Sequence, residues 1–111
     1  MGYKNKYHNK KVTTEFGVFD SQKEYQRFNE LLMLQRAGVI EDLQRQVKFE
    51  VIPKTPTERP AYYVADFCYK KADGKMIAED VKSPITRKLH DYILKRKLMK
   101  WRYPEYQFIE T

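Results

Sequence analysis

Residues 45–52 alternate between apolar and polar side chains, which is the pattern of a strand with one buried face. Residues 61–70 are apolar on both faces, which is typical of a strand in the middle of a sheet. A third segment of strand composition, residues 76–82, follows after a short turn. Together the three segments predict a sheet with the second segment inside it. The apolar positions of the first are Val47, Phe49 and Val51.

Two further segments have the spacing of amphipathic helices. The first is predicted over residues 21–37, because Ser21 is a favourable N-cap and Gly38 a favourable residue after the end. The second is predicted over residues 86–101 and is stopped by Pro104. The first helix has an apolar stripe of Phe28, Leu31, Leu32 and Leu34. In the second, the residues expected to face inward are Leu89, Ile93, Leu94 and Leu98.

The elements follow in the order helix, three strands, helix, strand, the last strand being predicted over residues 106–109. Residues 11–19 have β-type composition interrupted by Gly17 and predict a short N-terminal β extension. Residues 1–10 are basic and are expected to form a flexible arm. We therefore predict a single α/β domain over residues 11–111, with a mixed sheet flanked by helices.

The charge of the chain indicates a polyanionic partner. The net charge is +7, and the basic excess is concentrated in residues 1–11 and 87–102. Nucleic acid is favoured over an acidic membrane, because the second basic stretch is interleaved with predicted core residues. The chain has no apolar run long enough to span a bilayer and no signal-peptide core after Met1, so we expect a cytoplasmic protein. Cys68, the only cysteine, excludes an intramolecular disulfide and is expected to be a buried hydrophobe.

Whether two aspartates of the central hairpin lie on the same face of the sheet depends on the register that its turn sets. A two-residue turn would place Asp66 opposite Val81, with the aspartates on different faces. A three-residue loop over residues 72–74 would place Asp66 directly opposite Asp80. Such loops favour a left-handed glycine at their last position, where this chain has Gly74. We therefore predict that the two carboxylates share one face of the sheet.

A divalent cation is the most economical compensation for two buried, opposed carboxylates. Mg²⁺ prefers oxygen ligands and takes one or two carboxylates together with water and phosphate oxygens, and Mn²⁺ is expected to substitute. Lys82 lies one pleat beyond Asp80, where it is expected to hold or polarise a water for phosphodiester hydrolysis. Glu79 and Val81 point to the opposite face by parity. The alternative is a structural ion pair of Lys82 with charges at the strand ends.

Glu24 is a third candidate ligand, because it lies one helical turn before Phe28 and borders the stripe that faces the core. The segment that begins at Ser21 is also an S-x-x-E capping box, in which Glu24 would only bond back to the Ser21 backbone. The pattern leaves both roles open.

The element order and the acidic motif resemble the PD-(D/E)XK nuclease superfamily, and more narrowly the small phage and prophage endonucleases related to Holliday-junction resolvases. The resemblance covers roughly residues 16–110. The segments that carry it are Phe19-Asp20-Ser21-Gln22-Lys23-Glu24, Tyr63-Val64-Ala65-Asp66-Phe67, Glu79-Asp80-Val81-Lys82-Ser83 and Tyr103-Pro104.

The resemblance implies a restriction-endonuclease-like αβββαβ core and a Mg²⁺-dependent nuclease. Asp66 and Asp80 would be metal ligands, Lys82 the catalytic lysine, and Glu24 the glutamate that many members carry on the first helix. The chain departs from the family pattern in having Ala65 where a proline often precedes the first aspartate. It also has Ser83-Pro84 after the lysine, where glycine is common, which affects how substrate reaches Lys82.

The resemblance implies a structure-selective enzyme whose substrate is DNA, branched DNA included, in phage or prophage DNA metabolism within a bacterial host cell. A homodimer is expected, because resolvase-type substrates have two strands to cut. One alternative is a non-catalytic DNA-binding protein on the same fold, and another is a protein-interaction module such as a phage inhibitor of a host factor. The basic residues of the second helix that are predicted to contact phosphates are Arg87, Lys88, Lys95, Arg96 and Lys97.

Overall fold

The computed structural model describes residues 10–111. The predicted basic arm therefore lies outside the described residues except for Lys10. A small antiparallel hairpin, two helices and four longer strands make up the described chain. In chain order they are β1 (Val12–Thr14), β2 (Gly17–Phe19), α1 (Gln22–Arg36), β3 (Ile40–Ile52), β4 (Ala61–Lys71), β5 (Met76–Asp80), a 3₁₀ turn (Thr86–Lys88), α2 (His90–Arg102) and β6 (Tyr106–Glu110).

The four longer strands form one mixed sheet in the order β3-β4-β5-β6. The first two pairings are antiparallel, and β5 pairs with β6 in parallel after the crossover through α2. The predicted α/β class and the central position of the second strand are confirmed. Neither helix in the described part of the chain is long and apolar enough to cross a membrane.

Helix α1 covers one face of the sheet with the stripe that the sequence predicted. Phe28 and Leu31 are buried against Phe67 and Ile77 of the two central strands. The helix begins after Ser21, whose hydroxyl accepts the Glu24 N–H at 3.1 Å, as expected for an N-cap.

Helix α2 covers the other face. Of the residues predicted to face inward, Ile93 and Leu98 are half-buried, and Leu98 packs against the core. Tyr92 and Met99 are buried, whereas Leu89 and Leu94 are 48% and 57% exposed. The prediction of an inward-facing Leu89 and Leu94 was therefore wrong. The predicted helix is divided, because a 3₁₀ turn ends at Lys88 and the α-helix begins only at His90.

Halfway along β4, the side chains of one parity change from the face under α2 to the face under α1. Tyr63 and Ala65 belong to the hydrophobic cluster under α2, whereas Phe67, of the same parity, belongs to the cluster under α1. This change of face occurs at Asp66. The residue of β3 that lies opposite Asp66 is Gln46, which has a positive φ of 53°. Simple alternation along a strand does not predict this change. It places the side chain of Asp66 at the boundary between the two cores.

Candidate active site

The turn between β4 and β5 has the three-residue form that the sequence predicted. The N–H of Lys71 donates to the Lys75 carbonyl at 2.8 Å, and Gly74 has a φ of 89°. The ladder then runs without a shift as far as the pair Phe67↔Glu79. The next residues along this register are the two aspartates.

Asp66 and Asp80 are joined through the main chain as well as by proximity. The Asp66 N–H donates to Asp80 Oδ1 at 3.1 Å, and the Val81 N–H donates to Asp66 Oδ2 at 2.9 Å. The hydroxyl of Tyr63 donates to Asp80 Oδ2. Both aspartates are buried, Asp80 completely. Burial raises the pKa of each carboxyl group, with Lys82 opposing the rise.

The ammonium of Lys82 lies between the two aspartates, 3.5 Å from Asp66 Oδ2 and 3.5 Å from Asp80 Oδ1. Strand β5 ends at Asp80, so Lys82 reaches the aspartates from the segment just after the strand. Burial opposes the charge of Lys82, but the two aspartates outweigh it and raise the pKa of the ammonium. One protonated lysine is thus shared by two carboxylates that it cannot fully compensate.

Glu24 projects from the first turn of α1 toward this group and is 2% exposed. Gln46 Nε2 donates to Glu24 Oε2 and to Asp66 Oδ1, each at 3.3 Å. Arg45 Nη2 lies 3.7 Å from the same Glu24 oxygen. The Ser21 hydroxyl caps the helix, while the Glu24 carboxylate contacts β3. Burial, together with the nearby Asp66, raises the pKa of Glu24 to about 7.

Two residues of this site were missed by the sequence reasoning. The sequence marks Tyr63 only as a strand residue, because an alternating pattern does not show that its hydroxyl donates to a carboxylate on the neighbouring strand. Gln46 occupies a polar position of β3. Its left-handed backbone could not be predicted, because only Gly, Asn and Asp signal that conformation in a sequence. Both contacts become visible only when the three strands are assembled.

Glu79 lies on the opposite face, as its parity predicts. It is completely buried and accepts hydrogen bonds from Arg27 at 2.5 and 3.1 Å, from the Tyr69 hydroxyl at 2.7 Å and from Thr111 at 3.0 Å. The carboxylate oxygens of Glu79 are therefore hydrogen-bonded beneath α1, and Glu79 is not part of the aspartate pair.

The donor chemistry at Asp66 and Asp80 fits a hard divalent cation, because their buried carboxylates carry more negative charge than Lys82 offsets. Glu24 joins them only through the amide of Gln46. Within residues 10–111, no three His, Cys, Asp or Glu side chains already converge as a metal-binding group. The aspartate pair thus suits a metal directly, and Glu24 is held beside it through the Gln46 amide.

The five basic residues predicted to contact DNA differ in their surroundings. Arg96 lies 3.4 Å from Glu110, and the Arg87 guanidinium donates to the Thr111 carbonyl at 3.1 Å. Both arginines are half-buried, and these contacts hold α2 and the preceding turn to the end of β6. Lys88, Lys95 and Lys97 are exposed and form no ion pair with another residue of the described range.

The fold and this site together define a small mixed α/β protein whose central hairpin carries a buried aspartate–lysine cluster. Residues 4–110 match the family described as "Protein of unknown function (DUF1064)", and the chain belongs to that family. No curated protein and no solved structure matches the chain.

Proposed function

We propose that this protein is a metal-dependent DNA endonuclease of the PD-(D/E)XK type. The observation that carries the proposal is the convergence of Asp66, Asp80 and Lys82, with the Lys82 ammonium 3.5 Å from both carboxylates. Buried, incompletely compensated carboxylates beside a lysine are costly for a small fold to maintain, and such clusters are frequent at functional sites. A merely structural ion pair needs only one of the two aspartates.

Each side chain has a distinct role in this proposal. Asp66 and Asp80, with Glu24 as a third ligand, would hold Mg²⁺ or Mn²⁺, which would supply Lewis-acid chemistry at the phosphate. Lys82, whose ammonium lies 3.5 Å from both carboxylates, donates hydrogen bonds to a phosphate oxygen or to the attacking water. Tyr63 donates to Oδ2 of Asp80 and so holds the carboxylate in one orientation.

The exposed lysines of α2 and the turn before it supply the nonspecific part of DNA binding. We infer a branched substrate and a homodimer from the likeness to junction-cutting endonucleases, with the bacterial cytoplasm as the place of action. In this proposal Arg87 and Arg96 serve the fold first, because their guanidinium groups already bind the β6 end of the chain. Lys88, Lys95 and Lys97 are the residues that remain for phosphate contacts.

A cleavage assay with Mg²⁺, Mn²⁺ or EDTA on branched, duplex and single-stranded DNA tests the activity. Asp80→Asn should abolish metal-dependent cleavage and leave the protein folded, because the asparagine oxygen can still accept the Asp66 N–H. Asp73→Asn is the matched control, since this exposed aspartate lies in the β4–β5 turn and only accepts the Lys75 N–H. Full Mg²⁺-dependent cleavage by Asp80→Asn would overturn the mechanism.

The same fold could bind DNA without cutting it, and the Lys82 ion pairs would then only be structural. That alternative predicts salt-dependent DNA binding that is unchanged or strengthened by Asp66→Ala, and no cleavage with any divalent metal. Measuring affinity and cleavage on the same preparations separates the two functions.

A further inference from the structure

The side-chain amide of Gln46 connects the carboxylate that α1 contributes to the site with one that β4 contributes. Gln46 Nε2 lies 3.3 Å from Glu24 Oε2 on α1 and 3.3 Å from Asp66 Oδ1 on β4. An amide NH₂ group has two hydrogens, which allows it to donate to both acceptors at once. Gln46 therefore spans the gap between the only α1 carboxylate of the site and the β4 aspartate.

The backbone of Gln46 is in an unusual conformation for this residue type. Its φ is 53°, in the left-handed region, which is strained for a residue with a Cβ. The neighbours on both sides remain paired with β4, as Arg45↔Phe67 and Val47↔Ala65. The strain thus occurs at a single position opposite Asp66. It coincides with the exchange of faces in the sheet, and it directs the Gln46 side chain toward both carboxylates.

Adjacent residues fix the position of β3 at this point. Arg45 places its guanidinium 3.6 Å from the centre of the Phe19 ring and donates to the carbonyls of Phe16 and Val18 at 3.1 and 2.8 Å. The same guanidinium lies 3.7 Å from Glu24. The strand before Gln46 is therefore tied to the β1–β2 hairpin, which fixes the backbone from which the exposed Gln46 side chain reaches Glu24.

We propose that Gln46 is a positioning residue that holds Glu24 beside Asp66 and so assembles the third carboxylate of the metal site. The inference rests on the proposed function, since it assigns Gln46 to the same site. Gln46 acts through Glu24 and Asp66 and is not itself a catalytic residue. Residues that orient metal ligands typically contribute 10-fold to 100-fold in metal affinity, roughly the size of effect expected here.

Two substitutions separate the side chain from the strained backbone. Asparagine tolerates the left-handed conformation, but Gln46→Asn shortens the side chain by one methylene, so that its amide cannot span both carboxylates. Gln46→Gly relieves the backbone and removes the side chain. Gln44→Asn, at an exposed glutamine of the same strand, is the matched control. A loss shared by both Gln46 variants, but not by the control, identifies the side chain as its cause.

The first measurement needs neither metal nor DNA. In the metal-free protein, the side-chain amide resonances of Gln46 should shift on Glu24→Gln and again on Asp66→Asn. If neither substitution moves them, Gln46 does not bridge the two carboxylates and the inference fails. This result is independent of whether the protein is a nuclease.

The second measurement is Mn²⁺ binding by calorimetry. We expect affinity to fall by about 10-fold in Gln46→Asn and in Gln46→Gly, and to stay unchanged in Gln44→Asn. In a Glu24→Gln background, the Gln46 substitutions should have a smaller effect than in wild type, because only the contact with Asp66 is then left to lose. Wild-type affinity in both Gln46 variants, or additive losses, would overturn the positioning role. A wild-type protein that binds no Mn²⁺ would instead contradict the proposed function.

Discussion

The main-chain N–H of Asp66 donates to a carboxylate oxygen of Asp80 at 3.1 Å. The two candidate ligands are therefore held together by the pairing of β4 and β5 as well as by their shared lysine. A shift of the hairpin by one residue would turn one aspartate to the other face and break this hydrogen bond. The geometry of the site thus depends directly on the turn that sets the register.

Removing the ammonium of Lys82 should separate metal binding from catalysis. We expect Lys82→Met to bind Mg²⁺ more tightly than wild type, because the lysine no longer competes with the cation for Asp66 and Asp80. Cleavage should nevertheless fall by at least about 10²-fold, because the donor to the phosphate or water is lost. Calorimetry and a single-turnover cleavage assay measure the two effects. Lys75→Met, at an exposed lysine just after the turn, is the control, and unaltered cleavage by Lys82→Met would contradict its role.

The stability of the metal-free protein should decrease as the pH rises toward neutrality. Burial raises the pKa of Glu24 from 4.5 to about 7, so the folded state binds a proton more tightly than the unfolded state. The contribution is therefore fully present below the unfolded pKa and is lost as the pH rises through the folded pKa. Urea unfolding in EDTA from about pH 4 to about pH 8 should show this decrease in wild type.

Glu24→Gln should reduce that pH dependence, whereas Glu15→Gln should not, because Glu15 is exposed in the β1–β2 turn. Asp66 and Asp80, whose pKa values are also raised by burial, contribute in the same direction and will leave some dependence in the Glu24 variant. Identical curves for wild type and Glu24→Gln would show that Glu24 is not buried as described.

The sequence predicted those parts of the site that follow from local chemistry. Gly74 at the last position of a three-residue loop specifies the register, and the register brings Asp66 opposite Asp80. The exchange of faces at Gln46 could not be predicted, because it depends on how β3 and β4 pack against two different helices. The choice of Glu24 as a ligand or a cap also stayed open, since both roles use the same residue spacing.

Two residues predicted to face inward near α2 are exposed instead. Leu89 and Leu94 belong to the apolar positions at helical spacing, and the pattern therefore placed them in the core. The structure instead buries Tyr92, whose ring faces the core while its hydroxyl donates to Glu110. An amphipathic side chain of this kind satisfies both environments at the sheet edge, which a two-class hydrophobic pattern does not represent.

Two glycines with similar backbones allow a test of the register. Gly74 and Gly38 have φ values of 89° and 80°, and a Cβ at either would meet nothing within 4 Å. Alanine at either position should thus lower the free energy of unfolding by about 1–2 kcal/mol through backbone strain alone. We expect Gly74→Ala, but not Gly38→Ala, to weaken Mn²⁺ binding as well, because only Gly74 sets the register of the aspartates. Equal Mn²⁺ affinity in both variants would show that the β4–β5 turn does not control the geometry of the metal site.

The buried carboxylate of Glu79 should make Arg27 important for stability. Glu79 is fully buried and receives two hydrogen bonds from the Arg27 guanidinium. Arg27→Met would leave this charge without its cation, which costs about 3 kcal/mol or more for a buried pair. The double variant Arg27→Met/Glu79→Gln should recover part of the loss, because it removes the uncompensated charge. Denaturant unfolding measures both, and a double variant less stable than Arg27→Met would contradict the explanation.

The basic residues of α2 and the turn before it should separate into DNA-binding and structural groups. Replacing Lys88, Lys95 and Lys97 by glutamine should reduce the salt dependence of DNA binding by about 0.9 in log–log slope for each lysine that contacts a phosphate. Stability should change little, because the three side chains are exposed.

Arg96→Gln should instead lower stability and leave the salt dependence of DNA binding unchanged, since the guanidinium lies 3.4 Å from Glu110 and 5.6 Å from the Tyr92 ring. Binding titrations at several salt concentrations, paired with thermal unfolding, assign each residue. A salt slope that falls in Arg96→Gln but not in the lysine variant would place the DNA on the inner side of α2 instead.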